Sequence, residues 1–70
     1  MEISEIIFII NESEEGGFQA KCLNEPIFTE GESFDELKKN IKEAVLCHFD
    51  DGKAPKIVRL HYVKDEVLSL

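Results

Sequence analysis

Two cysteines and two histidines are the residues of this chain best suited to metal binding or nucleophilic chemistry. They are Cys22, Cys47, His48 and His61. Structural zinc sites usually pair such ligands at CxxC or HxxxH spacing, and that spacing is missing here. Cys47 and His48 are neighbours on a predicted helix and point about 100° apart, so they do not form a nucleophile–base pair. We therefore expect no metal ion, no cofactor and no thiol catalysis.

The acidic residues raise the question of a paired-carboxylate site, such as that of a metal-dependent nuclease. A site of this kind needs acids that project from strand cores into a shared cleft. The acids instead cluster in predicted turns at 12–15, 30–32 and 50–51, and the first predicted strand has none between residues 6 and 10. A solvated surface is the simpler interpretation, and we expect no enzymatic activity.

Gly16 and Gly17 lie between two predicted strands, in the stretch SEEGGFQAKC. Neither Gly-Lys-Ser/Thr nor a helix follows them, so they match no phosphate-binding loop and no dinucleotide fingerprint. Glycine accepts positive φ without strain, which favours a hairpin turn. Acids around this turn and in the 30–32 segment are candidate docking residues for a basic partner: Glu12, Glu14, Glu15, Glu30 and Glu32.

The charge balance disfavours several classes of function. Fifteen acidic residues face eight basic ones, for a net charge of −7. Nucleic-acid binding by counterion release needs the opposite sign, whereas a basic protein partner is favoured. Glu2 and Glu5 stand where a signal peptide would be positive, and no run approaches the ~20 apolar residues of a membrane span. We expect a cytoplasmic protein with reduced cysteines and no nucleic-acid or membrane partner.

Hydrophobic periodicity predicts the elements that position these residues. Strands are predicted at 3–10, 18–23 and 56–63, and Ile27 and Phe28 indicate a short strand between the second and the last. The first strand is apolar on both faces, which is typical of a central strand.

At Ser33 the repeat changes to that of a helix. Ser33 and Glu36 match a capping box, and Asp35 and Lys39 are spaced as an i,i+4 ion pair. The apolar stripe that follows consists of Phe34, Leu37, Ile41, Ala44, Val45 and His48. The stripe predicts a core or interface position for His48, and Gly52 followed by Pro55 predicts the helix end.

These elements predict one α+β domain over residues 1–70, in the order β-β-β-α-β, with residues 64–70 as a tail. A right-handed crossover would place the last strand parallel to the first, in a mixed sheet with one helix packed on one face. The opposite face would expose Ile3, Ile7 and Ile9 among polar residues. Such a patch usually marks a contact surface, so we expect a homodimer or a docked partner there.

Two stretches resemble the HicB-like antitoxins of toxin–antitoxin systems. One is EEGGFQA (14–20), an acidic glycine-containing hairpin followed by an aromatic residue. The other is FTEGESFDELKKNIKEAVLCHFDD (28–51), in which seven positions fit the family pattern: Thr29, Gly31, Ser33, Glu36, Asn40, Glu43 and Ala44.

The resemblance implies a partial ribonuclease-H-like module that is not a nuclease. It implies a small basic messenger-RNA-cleaving toxin of the HicA type as the partner. Two features depart from the pattern: CLNEPIF replaces a Pro-Gly-Cys-like segment, and the C-terminal DNA-binding segment of full-length members is not expected here.

The leading hypothesis is thus a stand-alone antitoxin-like module that binds and neutralises such a toxin, or an orphan relative of one. The alternative is a small metabolite-binding or minimal enzymatic domain, which would require a pocket that includes Cys22, His48 or His61.

Overall fold

The computed structural model describes residues 4–70, and the predicted patch residue Ile3 lies outside them. Four strands and one helix follow in the predicted order. They are β1 (Glu5–Glu12), β2 (Phe18–Cys22), β3 (Phe28–Gly31), α1 (Phe34–His48) and β4 (Ile57–Val63). The fold is therefore a small α+β module, as the sequence predicts.

The strands form one mixed sheet in the order β3-β2-β1-β4. β1 pairs antiparallel with β2 and parallel with β4, and β2 pairs antiparallel with β3. β1 is thus a central strand. Because β2 and β4 flank β1, its side chains are shielded by neighbours on both sides, and Ile7 and Ile9 are half-buried even on the face that α1 does not cover.

The core lies between α1 and one face of the sheet. Ile6, Phe8 and Ile10 point to this face from β1 and are fully buried. The remaining core residues are Ala20, Cys22, Ile27, Leu37, Ile41 and Val45. The alternation of buried and exposed residues along β1 and β2 confirms the predicted strand faces, including the inward position of Cys22.

The start of α1 is as predicted, with Ser33 as the N-cap. The Ser33 Oγ accepts a hydrogen bond from the Glu36 N–H at 3.1 Å, which satisfies one of the free amides of the first turn. The predicted ion pair differs in register: Asp35 contacts Lys38, with 3.8 Å between carboxylate and ammonium, rather than Lys39.

The end of α1 corrects two predictions. The helix stops at His48, and Gly52 (φ +75°) lies in the following turn instead of capping the helix. His48 is exposed rather than buried, with its ring 5.0 Å from that of Phe49. Phe49 packs against the core at this end, because the backbone leaves the helix there and the apolar stripe does not continue to His48.

Candidate functional site

The face of the sheet that α1 leaves uncovered, here called the open face, carries an apolar band. Ile7 and Ile9 lie on it half-buried, in the positions predicted from sequence. The strand register sets Ile7 beside Arg59, and Ile9 between Lys21 and His61. The sequence-predicted patch is therefore present, with a polar rim.

Three further apolar residues extend this band, and sequence reasoning did not assign them to it. Leu23, Phe28 and Ile57 are 62%, 59% and 54% exposed. Phe28 pairs with Lys21, Ile57 pairs with Glu5, and the Leu23 N–H donates to the Ile7 carbonyl at 2.9 Å. The open face consequently presents far more apolar surface than its central strand alone.

A cleft of about 420 Å³ lies where the β1–β2 hairpin, the end of β3 and the start of α1 meet. It brings together Glu15, Glu30 and Glu32, three of the five acids predicted to dock a partner, and adds Glu36. The other lining residues are Ser13, Gly16, Phe18 and Gly31. We call this the acidic cleft. Glu12 and Glu14 do not line it.

Glycines allow the walls of the acidic cleft to approach one another. Gly16 and Gly17 turn the hairpin with φ of +98° and +81°, closed by a bond from the Ser13 N–H to the Gly17 carbonyl at 2.9 Å. A Cβ on Gly31 would lie 2.6 Å from the backbone nitrogen of Leu37. The predicted turn is confirmed, and β3 contacts α1 closely because Gly31 has no side chain.

Asn40 fixes the other side of this junction. Its side-chain amide donates to the Glu30 carbonyl at 2.8 Å, which ties the middle of α1 to β3. Glu30 pairs with Gln19, and paired residues on neighbouring strands share a face, so the Glu30 side chain lies on the open face. Glu30 is also one of the residues that line the acidic cleft. Glu30 thus belongs both to the lining of the cleft and to the open face.

Glu12 is the last residue of β1 and makes a contact across the sheet. Its carboxylate accepts a hydrogen bond from the Tyr62 hydroxyl at 2.5 Å, across β1 and β4. The Tyr62 ring belongs to an aromatic cluster with Phe18 and Phe34, whose ring centres lie 5.7–6.1 Å apart. The hydrogen bond to Glu12, followed by burial and the Glu12 charge, raises the pKa of Tyr62.

Comparison with known proteins identifies two relatives of similar length. A UPF0150 protein of Thermotoga maritima is 48% identical over 66 residues, which covers 94% of this chain and 93% of the relative. This chain belongs to the UPF0150 family. A second UPF0150 protein, from Archaeoglobus fulgidus, is 41% identical over 56 residues, covering 80% of this chain and 83% of that one. No family model matches the chain, and no solved structure shows significant similarity to it.

The name UPF0150 specifies neither an activity nor a ligand, and neither relative is named as an antitoxin. The similarity to the Thermotoga relative covers nearly the whole of both chains, so it spans the sheet and the helix. The resemblance to HicB-like antitoxins remains a prediction.

The metal-binding and nucleophilic residue types lie in three separate parts of this UPF0150 protein. Cys22 is in the core, Cys47 and His48 are exposed at the end of α1, and His61 is on the open face. Within residues 4–70, no group of three His, Cys, Asp or Glu side chains is placed to hold a metal ion. None of the four residues lines the acidic cleft.

In the same part of the chain, no helix is both long and apolar enough to cross a bilayer.

Proposed function

We propose that this UPF0150 protein is a non-catalytic module that binds a small basic protein, of the HicA messenger-RNA-cleaving toxin type. The single observation that carries the proposal is the position of Glu30, which lines the acidic cleft and also lies on the apolar open face. A basic protein with an apolar contact surface would pair its cations with the cleft and bury its apolar residues on the band.

Charge supports this choice of partner. The cleft is lined by four glutamates and by no lysine or arginine. The whole chain has a net charge of −7, which speeds encounter with a cationic protein and opposes nucleic acid. A toxin that binds messenger RNA must itself present a basic surface. Masking that surface requires only complementary acids, and no chemistry by the masking protein.

The apolar band supports a protein ligand over a small one. Leu23, Phe28 and Ile57 are each more than half exposed on a flat sheet face, whereas small-molecule sites are concave and mostly apolar. The acidic cleft is lined mainly by polar groups, and the residues that the metabolite-binding alternative requires lie elsewhere. We therefore retain the protein-binding function.

The decisive experiment uses a purified small basic protein encoded beside this gene. Binding is measured by calorimetry with the wild type and with the variant E15Q/E30Q/E32Q, which removes three charges from the acidic cleft. We expect at least tenfold weaker binding, since hydrogen bonds to charged groups each contribute about 1.5–3 kcal/mol. The matched control is E14Q, an exposed acid of the same hairpin that does not line the cleft.

The same pair of proteins tests neutralisation. Cleavage of an RNA substrate by the basic protein should stop when the wild type is added at equimolar concentration, and should resume with E15Q/E30Q/E32Q. Equal binding by wild type and the triple variant would contradict the role of the cleft. Absence of any binding at low salt would contradict the proposed function itself.

A further inference from the structure

Within residues 4–70, no strand pairs with the outer edge of β4. β4 is the last strand of the sheet, and the Ile57 N–H donates inward to the Ser4 carbonyl at 3.2 Å. Backbone groups alternate in direction along a strand, so those of Val58, Leu60 and Tyr62 point away from the sheet. Seven residues of regular strand without proline form an edge to which another strand can add.

The other edge of the sheet differs. β3 has only four residues, and the Glu30 carbonyl accepts the bond from Asn40 of α1. Short edges and coverage by a neighbouring element are ordinary ways of preventing strand addition. β4 has neither protection, so it is the edge on which pairing is expected.

The residues after β4, here called segment 64–70, are suited to lengthen that edge. They contain no helix, turn or bend. Val67 and Leu68 are 91% and 80% exposed, so they do not pack on the core of their own domain. Among residues 4–70, no hydrogen bond or ion pair links this segment to the rest of the chain. Its apolar side chains therefore lack a contact that a second chain would supply.

We propose that β4 and segment 64–70 pair antiparallel with the same residues of a second copy, across a two-fold axis at Tyr62. The two four-stranded sheets then form one continuous sheet. The inference rests on this edge alone, and it does not depend on the proposed function.

The pattern of side chains supports a second copy as the occupant. With Tyr62 opposite Tyr62, Arg59 lies opposite Asp65 of the second copy, and Ile57 lies opposite Val67. Symmetry makes each of these pairs twice, and opposite charges or apolar side chains at directly facing positions stabilise antiparallel strands. Arg59 also contacts Glu5 at 3.0 Å within its own chain, so it would lie between two carboxylates.

The local charge disfavours the basic partner at this edge. Residues 56–64 contain Lys56, Arg59 and Lys64 and no acid, although the chain as a whole is acidic. With Asp65 and Glu66 of segment 64–70 included, the edge has no acidic excess, so a cationic protein would be attracted to the acidic cleft rather than to this edge. The β4 edge thus suits a second copy of the chain, and the acidic cleft suits the basic protein.

The first test is the mass in solution, measured by analytical ultracentrifugation over a range of concentrations. We expect a dimer for the wild type and a folded monomer for Val67→Asp, which places a carboxylate where an apolar pair forms. The matched control is Leu46→Asp, an exposed leucine on α1 that should leave the dimer intact. A monomeric wild type, or a dimer unaffected by Val67→Asp, would overturn the proposal.

A variant on the open face separates this dimer from one formed through the apolar band. Ile9→Glu should leave the dimer mass unchanged, because Ile9 lies in the central strand and away from the β4 edge. Conversion to a monomer by Ile9→Glu would assign self-association to the open face and reject the β4 edge.

The register has its own test, in a Cys47→Ser background that removes the exposed native thiol. In the proposed pairing, position 61 faces position 63 of the second copy at a non-hydrogen-bonded site, where Cα atoms lie within disulfide range. His61→Cys and Val63→Cys proteins mixed with oxidised glutathione should form a mixed disulfide dimer. Preferential cross-linking of either variant with itself would contradict a two-fold axis at Tyr62.

Discussion

At the scale of single residues, the hydrogen bond between Tyr62 and Glu12 joins the central strand β1 to the edge strand β4, at the end that carries the acidic cleft. The two residues are 50 positions apart in the chain, and their side chains meet because β1 and β4 are parallel neighbours. Tyr62 is the only tyrosine, and the chain has no tryptophan. The ultraviolet absorbance of its phenol therefore reports on this one contact.

We predict that Tyr62 ionises above its ordinary pKa of 10.0 in the folded protein, since a negatively charged acceptor opposes loss of the phenol proton. Glu12→Ala should return the pKa towards that of a free tyrosine. The Tyr62–Glu12 hydrogen bond stabilises the folded protein. This stabilisation is fully present below pH 10 and is lost as pH rises through the folded-state pKa of Tyr62. Spectrophotometric titration of the phenolate measures both proteins.

Glu14→Ala is the control for this titration, because Glu14 lies in the same acidic hairpin without contacting Tyr62. It should leave the pKa raised. If both alanine variants lowered the pKa equally, the cause would be the general negative charge of the hairpin and not the hydrogen bond.

The two hairpin glycines differ in their surroundings, although both have positive φ. A Cβ on Gly16 would meet no atom within 4 Å, whereas a Cβ on Gly17 would lie 2.8 Å from the Gly31 carbonyl oxygen. Gly16→Ala should cost about 1–2 kcal/mol of unfolding free energy for its backbone conformation alone. Gly17→Ala should cost about 1–3 kcal/mol more from the clash.

Urea denaturation of the two variants measures this difference, and the shared positive φ cancels in the comparison. Equal losses of stability would mean that the hairpin and the end of β3 separate easily. The close approach that shapes the acidic cleft would then not be rigid.

At the scale of elements, the contact of α1 with β3 determines the shape of the acidic cleft. Gly31 permits the close approach and Asn40 holds it. Thr29, Gly31 and Asn40 are among the residues that carry the resemblance to HicB-like antitoxins. The structure gives Gly31 and Asn40 a physical reason for their residue types, independent of that resemblance.

We predict that Asn40→Ala lowers the free energy of unfolding by about 1 kcal/mol, the usual net contribution of one hydrogen bond. Loss of the hydrogen bond from Asn40 to the Glu30 carbonyl should also weaken binding of the basic protein, because Glu30 would no longer be held against α1. Urea denaturation and calorimetry provide the two readouts. Lys39→Ala, an exposed neighbour on the same helix, should change neither by more than about 0.5 kcal/mol.

The elements themselves were predictable because each carries its own local signal. The alternation in β2, the apolar run in β1 and the Ser33 cap are properties of short stretches, and the structure confirms all three. Of the two positions predicted for His48, the core position was wrong because periodicity extends a helix stripe without indicating where the backbone leaves the helix. Phe49 takes the core contact instead.

The candidate site was only partly predictable, since it forms where distant segments meet. Acids at positions 15, 30 and 32 were evident in the sequence, but their convergence with Glu36 depends on how closely β3 approaches α1. Likewise, Phe28 joins the apolar band through its register with Lys21. Register across three strands is not encoded in any one of them.

At the scale of the whole molecule, the distribution of charge is uneven. The acidic cleft collects glutamates, whereas residues 56–64 along β4 carry cations only. The net charge of −7 disfavours the compact state of the isolated chain through self-repulsion, and it attracts a cationic partner at the same time. Salt screens both effects.

We therefore predict opposite responses to added salt. The free energy of unfolding of the protein alone should rise with sodium chloride, because screening relieves self-repulsion. The association rate constant with the basic protein should fall about tenfold or more, because screening removes the attraction that speeds encounter. Denaturation measures the free energy of unfolding and stopped-flow binding measures the association rate constant, both over one series of salt concentrations. If both quantities rose or both fell with salt, the predicted roles of the net charge would be contradicted.

The parallel pairing of β1 with β4 has a consequence for how the chain is made. Glu5 begins β1 and pairs with Ile57, more than fifty positions later. During synthesis, β1 gains β2 early but must wait until β3, α1 and β4 have been made before its second neighbour exists. Non-local pairing of this kind is slow, and exposed strand edges aggregate. The newborn protein thus depends on β4, and synthesis that stops before Ile57 yields a product that cannot complete this sheet.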